Sequence, residues 1–193
     1  VKETDLTEKN SMQRSNRASM LFTLEWQSEV ATHKDCHFAE KIDFWRDIFP
    51  DGFEPEIESL ELNTQTSVEY YAGKLVEPFS KSLIKTFPER LFNRSFSHQT
   101  TEPRIGGFYP IAMAPKGMGC FEGDYRPFRI IAMQDETITG DMNHALAKYP
   151  LKLSAVKTRE LKPMEQRGGV CFDIGEMVTE KGPGVQVPLL KDG

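Results

Sequence analysis

Two strand-like runs, Met20–Trp26 and Leu151–Leu161, bracket a block from Ile105 to Gly140 that glycine or proline interrupts every few residues. That contrast limits what the chain can fold into more than any other feature. In the first run Phe22, Leu24 and Trp26 alternate with Thr23 and Glu25, the period of a strand buried on one face. In the block, Gly106-Gly107, Pro110, Pro115, Gly119 and Pro127 stop each element early, which leaves short strands and turns, a small all-β signature. Phe128–Met133 and Glu136–Asp141, on either side of Gln134-Asp135, predict a hairpin inside it.

Residues 37–58 are dense in aromatics: Phe38, Phe44, Trp45, Phe49 and Phe53. Asp43–Phe49 predicts a helical turn cut by Pro50. Pro55–Leu60 predicts a short helix, with proline at an early position and acids in the first turn. Thr66, Val68 and Tyr70 alternate in a second strand, Thr64–Tyr71. Residues 1–18 have little to bury and read as a flexible arm. Asn93–Arg104 is polar and reads as a mobile loop. The tail from Lys162 carries Gly168-Gly169 and Gly182-Pro183-Gly184 and reads as looped or extended. Val1, where a starting Met is usual, suggests a piece of a longer chain. Gly182–Gly184 reads as a linker, and if the chain is such a piece there is room for a further domain after Gly193.

The 193 residues suffice for one large or two small domains. A net charge of -5 gives no footing for nucleic acid or an anionic membrane. No apolar run approaches the ~20 residues of a membrane span. Cys36, Cys120 and Cys171 are few and far apart, as expected of unpaired thiols in a reducing, cytoplasmic setting. His33-Lys34-Asp35-Cys36-His37 offers donor types for a metal. No second Cys/His group closes a tetrahedral site, so the stretch reads as a surface loop, with no metal and no cofactor expected.

Four segments resemble, in order, the SlyD-type FKBPs, over residues 21–161. Leu24-Glu25-Trp26-Gln27 is similar to the family's first strand. Gly52, followed by Phe53 and Ile57, resembles its pocket helix. Phe87-Pro88-x-x-x-Phe92 resembles the segment leading into the inserted chaperone domain, and Asn143-His144-x-Leu146-Ala147 the segment leading out of it. The resemblance implies an α+β fold: an FKBP-like antiparallel half-barrel around a short helix, built from residues 19–87 and 148–162. A β-rich insert-in-flap domain would span residues 88–147, and residues 163–193 would form a C-terminal extension.

An FKBP pocket holds a prolyl ring among aromatic and aliphatic side chains and lowers a rotational barrier of ~20 kcal/mol without covalent chemistry. In register the resemblance implies a substrate pocket of Trp26, Phe38, Phe49, Phe53, Ile57, Val76 and Leu153. Phe49-Pro50 stands where the family has Val-Ile, so a proline replaces a backbone donor. Leu75-Val76-Glu77 removes the family's pocket tyrosine. Only Asp35 and Asp43 are near the place of its acidic residue. These departures imply weak or lost prolyl isomerase activity.

Arg46 and Asp47, beside three aromatics and just before the pocket helix, are candidates for a pocket rim that orients a carbonyl, against core packing with a surface ion pair. His144 reads as a structural residue that bonds nearby backbone. In the insert, Phe108, Tyr109, Met113, Phe121, Tyr125 and Phe128 are candidates for peptide binding, while a domain of ~60 residues also needs aromatics for its own core. Met113, Met118, Met133 and Met142 offer adaptable apolar surface, with ordinary core filling expected of at least half of them. Residues 163–193 hold no histidine, so the family's metal-binding tail is not carried over. The expected function is a folding helper for unfolded or proline-containing polypeptides. The alternatives are a working isomerase with a remodelled pocket and an accessory binding domain of a larger enzyme.

Overall fold

The computed structural model describes residues 16–96, 100–163 and 169–180. In chain order the elements are β1 (Arg17–Gln27), β2 (Thr32–Asp43), α1 (Glu54–Glu58), β3 (Gln65–Tyr70), β4 (Ile84–Pro88), β5 (Phe108–Pro110), α2 (Pro115–Met118), β6 (Pro127–Gln134), β7 (Thr137–Asp141), β8 (Leu151–Glu160) and α3 (Ile174–Thr179). The strands form two antiparallel sheets, ordered β2-β1-β8-β3 and β4-β7-β6-β5, so the fold is α+β with few helices. The described residues divide into two compact units: those up to Glu69 with those of Leu151–Val178, and those of Tyr70–Pro150 with Thr179 and Glu180.

In the first unit β1 is central, paired with β2 on one side and β8 on the other. The alternation read from the sequence sends Phe22, Leu24 and Trp26 to one face, where Leu151, Leu153 and Ala155 of β8 are also buried. Helix α1 is short because Pro55 opens it and it ends within two turns. Phe53 and Ile57, four apart on one side, are fully buried, and the Phe53 ring lies 6.3 Å from that of Phe22. Each such side chain contributes about 1.5–3 kcal/mol by leaving water. Gly52, at φ +75°, makes the left-handed turn into the helix.

Strand β2 corrects the surface-loop reading of His33–His37. Its half-buried positions are His33, Asp35 and His37, with no large apolar residue among them, so the strand is hidden in the sequence. Pairing with β1 creates it instead, and the Ser28–Ala31 turn sets the register, with the Ser28 N–H donating to the Ala31 carbonyl at 2.9 Å. Ladder alternation from that turn bonds His33, Asp35 and His37 to β1 and points the Cys36 N–H out from the sheet edge. There the Asp35 carboxylate accepts it at 2.9 Å.

Helix α3 corrects the looped reading of the tail. Asp173 caps it by accepting the Glu176 N–H at 3.0 Å, and Ile174 and Val178, one turn apart, are buried. Gly168 and Gly182–Gly184 lie outside the described residues, as do residues 1–15 of the expected arm. The rest of that arm runs into β1 at Arg17.

The second unit has its own core, built on Phe87, Tyr109, Met118, Phe128, Ile130 and Ile138. Ile84–Phe87, read from the sequence as part of the first domain, pair with β7 in this sheet. The expected hairpin is present as β6 and β7, with its turn one residue later, at Asp135 (φ +48°) and Glu136 (φ +58°). Two positive φ values are what a tight hairpin turn requires. Gly117 and Gly140 let backbone approach the core rings: a Cβ on Gly117 would lie 2.5 Å from Phe87 Cγ, and one on Gly140 would lie 2.7 Å from Phe128 Cδ2.

Candidate functional site

The residues expected to line a pocket divide by burial. Phe53, Ile57 and Leu153 are completely buried and belong to the core of the first unit. Trp26 is 6% exposed, and the His33 ring stacks on its indole with centroids 5.0 Å apart and planes 6° apart. Ser28 Oγ holds that imidazole at 2.8 Å from Nε2. The indole face that would cradle a proline is thus covered by a neighbouring strand. Phe49 is half-buried and stacks on Phe44 at 5.9 Å. Phe38 is opposite Leu21 in the ladder, on the other face of the sheet from Trp26 and Leu153, and is 56% exposed. Phe38 therefore does not join the others. Val76 is half-buried in the second unit.

Asp47 has a clear structural job. Its side chain is fully buried and accepts three hydrogen bonds: from the Asp43 N–H at 2.8 Å, the Phe172 N–H at 3.2 Å and Arg46 Nε at 3.3 Å. The turn Asp43–Ile48 thereby receives a segment from the far end of the chain. Ile48 forms a parallel bridge with Asp173, its N–H donating to the Phe172 carbonyl and its carbonyl accepting from Ile174 N–H, both at 2.8 Å. Cys171 Sγ donates to the Arg46 carbonyl at 3.0 Å. Trp45, Ile48, Val170 and Phe172 stand exposed around this junction.

In the second unit the six expected peptide-binding residues separate in the same way. Tyr109, Met113 and Phe128 are buried in the core and unavailable to a partner. The Tyr109 hydroxyl is used internally, donating to the Glu102 carbonyl and accepting the Arg104 N–H, each at 3.1 Å. Phe108 is half-buried under Arg129, whose guanidinium carbon is 5.7 Å from the ring centre. Phe121 and Tyr125 are 69% and 70% exposed. Of the methionines, Met118 is buried, while Met133 and Met142 pack half-buried against the same core.

The loop that carries Phe121 and Tyr125 is held by hydrogen bonds at Asp124. Asp124 is buried, and its carboxylate accepts from Arg126 N–H and Nε at 3.1 Å and from Nη2 at 2.7 Å. The Arg126 guanidinium holds the Asp124 carboxyl below the ordinary carboxylate range, and burial opposes that shift only in part. The Ala112 N–H donates to the Asp124 carbonyl at 2.7 Å, which ties the loop to the core. The Tyr125 ring lies 6.0 Å from Phe96. Sequence reading missed Asp124, although Asp-x-Arg between two aromatics was a usable signal.

Strands β4 and β5 are the edges of this sheet, each paired on one side only. An open groove of about 790 Å³ follows the end of β4, lined by Pro88, Arg90, Leu91, Phe92, Arg94 and Glu136. Arg94 is anchored there by ion pairs with Glu89 and Glu102.

At the end of β7, Asn143 fastens two distant stretches. Its Oδ1 accepts the Ser80 N–H at 2.7 Å and its Nδ2 donates to the Ser80 carbonyl at 2.9 Å. His144 Nδ1 accepts the Leu146 N–H at 3.1 Å. Burial lowers the His144 pKa, and a hydrogen bond to Thr179 backbone opposes that shift. His144 thus has the backbone-bonding role expected of it.

Among the described residues no cluster of three or more His, Cys, Asp or Glu side chains could hold a metal, and no helix is long and apolar enough to cross a membrane. No protein-family model matches the chain. No curated protein matches it in sequence.

Proposed function

We propose that this chain is an FKBP-like folding helper of the SlyD type that holds extended or proline-containing polypeptide, with prolyl isomerase activity weak or lost. The observation that carries the reading is the Phe121–Arg126 loop. It presents two large aromatics to solvent on a frame that Asp124 holds by hydrogen bonds. Exposed aromatics cost solubility unless something binds them, and a preorganised loop binds with little loss of its own entropy. The loop belongs to a small sheet with edge strands, and its chain segment runs between β3 and β8 of the other sheet. An extended chain can add to such an edge through its backbone, a mode tolerant of sequence.

The burial of Phe53, Ile57 and Leu153 and the His33 ring over Trp26 support the weak-isomerase part of the reading. A catalyst for prolyl rotation needs an open aromatic cradle, and these side chains are spent on the core.

The test is suppression of aggregation of a reduced, unfolded protein by the full chain, compared with a Phe121→Ala, Tyr125→Ala variant. The expected result is suppression by the parent and at least a tenfold loss in the variant, with thermal stability of the two equal. Equal suppression by both would overturn the assignment to this loop. In proline-limited refolding the parent is expected to accelerate the slow phase less than twofold, and a large acceleration would restore the isomerase reading.

A further inference from the structure

The segment Gly169–Asp173 runs beside Arg46–Ile48 and is joined to it by one parallel β-bridge, and we propose that it is a built-in ligand. It occupies a strand-addition site on the first unit, and an extended peptide with apolar residues at alternate positions takes the site when the segment leaves. The inference rests on the peptide-binding reading above only for the kind of ligand.

Three features carry it. The first is the mode of attachment. Ile48 donates to the Phe172 carbonyl and accepts from Ile174, the paired bonds of a parallel ladder. Asp47 adds a third backbone contact through the Phe172 N–H, and Cys171 a fourth through its thiol and the Arg46 carbonyl. Every one of these acceptors and donors reads main chain or, at Cys171, a small side chain. Any extended segment with a free N–H at the Phe172 position satisfies most of them.

The second feature is what the segment leaves exposed. Val170 is 69% exposed, Phe172 45%, Ile48 56% and Trp45 52%. A strand that belonged permanently to the core would bury its large side chains, as β1 and β8 do. Here the backbone bonds hold the segment while its own Val170 and Phe172 stay in water and leave Ile48 and Trp45 of the receiving turn largely exposed. A peptide that covers Ile48 and Trp45 gains apolar contact that the resident segment does not make.

The third is the backbone at Gly169. Its φ is +107°, and a Cβ there would lie 2.9 Å from Arg46 Nη1. Glycine adopts this φ readily where other residues are strained, so the turn that leads the segment onto this site is set by its own sequence. Downstream, Asp173 caps α3, whose Ile174 and Val178 are buried. The segment is thus tethered beyond its last bridge and returns after each release.

The test uses the segment's own sequence in trans. A peptide copying residues 169–174, with serine for the cysteine, is titrated into the full chain and followed by the backbone amide signal of position 48. The chain carries Ile48→Cys and Asp173→Cys in a Cys36→Ser, Cys171→Ser background. The two new thiols replace bridge partners, a spacing compatible with a disulfide. The expected result is binding to the reduced chain and at least tenfold weaker binding to the oxidised chain, in which the resident segment is locked in place. Phe172→Pro, which removes the N–H given to Asp47, is expected to raise the affinity several-fold with the fold intact. Equal affinity in the oxidised and reduced states, or no binding by the reduced chain and the proline variant alike, would overturn the proposal. Should the lock fail to form, an affinity no higher in the proline variant than in the parent would overturn the proposal. The oxidised chain should still suppress aggregation through Phe121 and Tyr125. Loss of suppression with the lock effect intact would count against the proposed function and leave the built-in ligand standing.

Discussion

Asp47 and Asp124 are both buried aspartates that close a turn beside an arginine, yet they organise very different stretches of chain. Asp124 bonds Arg126, two residues on, and fixes a loop within itself. Asp47 bonds Asp43 and Arg46 nearby and then Phe172, 125 residues further along. The local carboxylate loses little entropy in finding its partners, because the turn already brings them together. The long-range one depends on the whole first unit having formed, and it repays that cost by pinning a terminal segment. Similar chemistry thus makes a presentation loop in one unit and an attachment point in the other.

The comparison is broken most strongly at Asp47. Asp47→Ala strands three donors in a buried place and is expected to cost about 3–4 kcal/mol in a denaturant titration. Amide exchange at Phe172 and Ile174 should rise with it. Gly117→Ala tests the second unit's packing. The added methyl would meet the Phe87 ring, and the loss is expected to be about 2 kcal/mol. Asp124→Ala should cost less than Asp47→Ala, about 1–2 kcal/mol, because the Arg126 side chain is 77% exposed and is rehydrated when its partner goes. Its clearer effect should be the loss of aggregation suppression through disorder of Phe121 and Tyr125. Asn143→Ala, which removes the paired bonds to Ser80, is expected to cost about 1–2 kcal/mol.

Acid sharpens the contrast further. The Asp124 pKa is depressed in the folded chain, so its contribution is present above the ordinary carboxylate pKa and is lost as pH falls through the lower folded value. His144 titrates earlier. Its folded pKa is also lowered, so the unfolded chain takes up the proton first, and stability starts to fall as pH drops below the ordinary histidine value near 6.5. Thermal midpoints of the parent and His144→Gln across pH 7 to 5 check this: the parent should lose stability in that window, and the variant should lose less.

Much of the first unit was legible because its strands carry their own pattern. Phe22, Leu24 and Trp26 announce β1 and the Phe53–Ile57 spacing announces the buried side of α1; in the second unit the Asp135 turn region announces the β6–β7 hairpin. The first half of strand β2 was not legible, because its half-buried positions are His33, Asp35 and His37, whose place is dictated by the partner strand. Helix α3 was obscured by neighbouring glycines, though Asp173 followed by Ile174 and Val178 was a readable cap and face. In the candidate sites, Arg46 and Asp47 were recognisable as unusual beside their aromatics. Their partners Cys171 and Phe172 were not, since no local pattern links residues so far apart. Among the second unit's aromatics, composition could not divide Phe121 and Tyr125, which lie on a loop, from Tyr109 and Phe128, which strands turn into the core.

The Asp35 carboxylate sits on the Cys36 N–H at the open edge of the first sheet. An unguarded edge is a template on which any unfolded chain can continue the sheet, and stacked copies of the protein can do the same. One short side chain breaks that row of donors in its middle. The result is a colloidal safeguard: Asp35→Ala should leave the folded molecule almost unchanged at low concentration, yet make concentrated solutions turn cloudy sooner on warming, an effect that light scattering would detect.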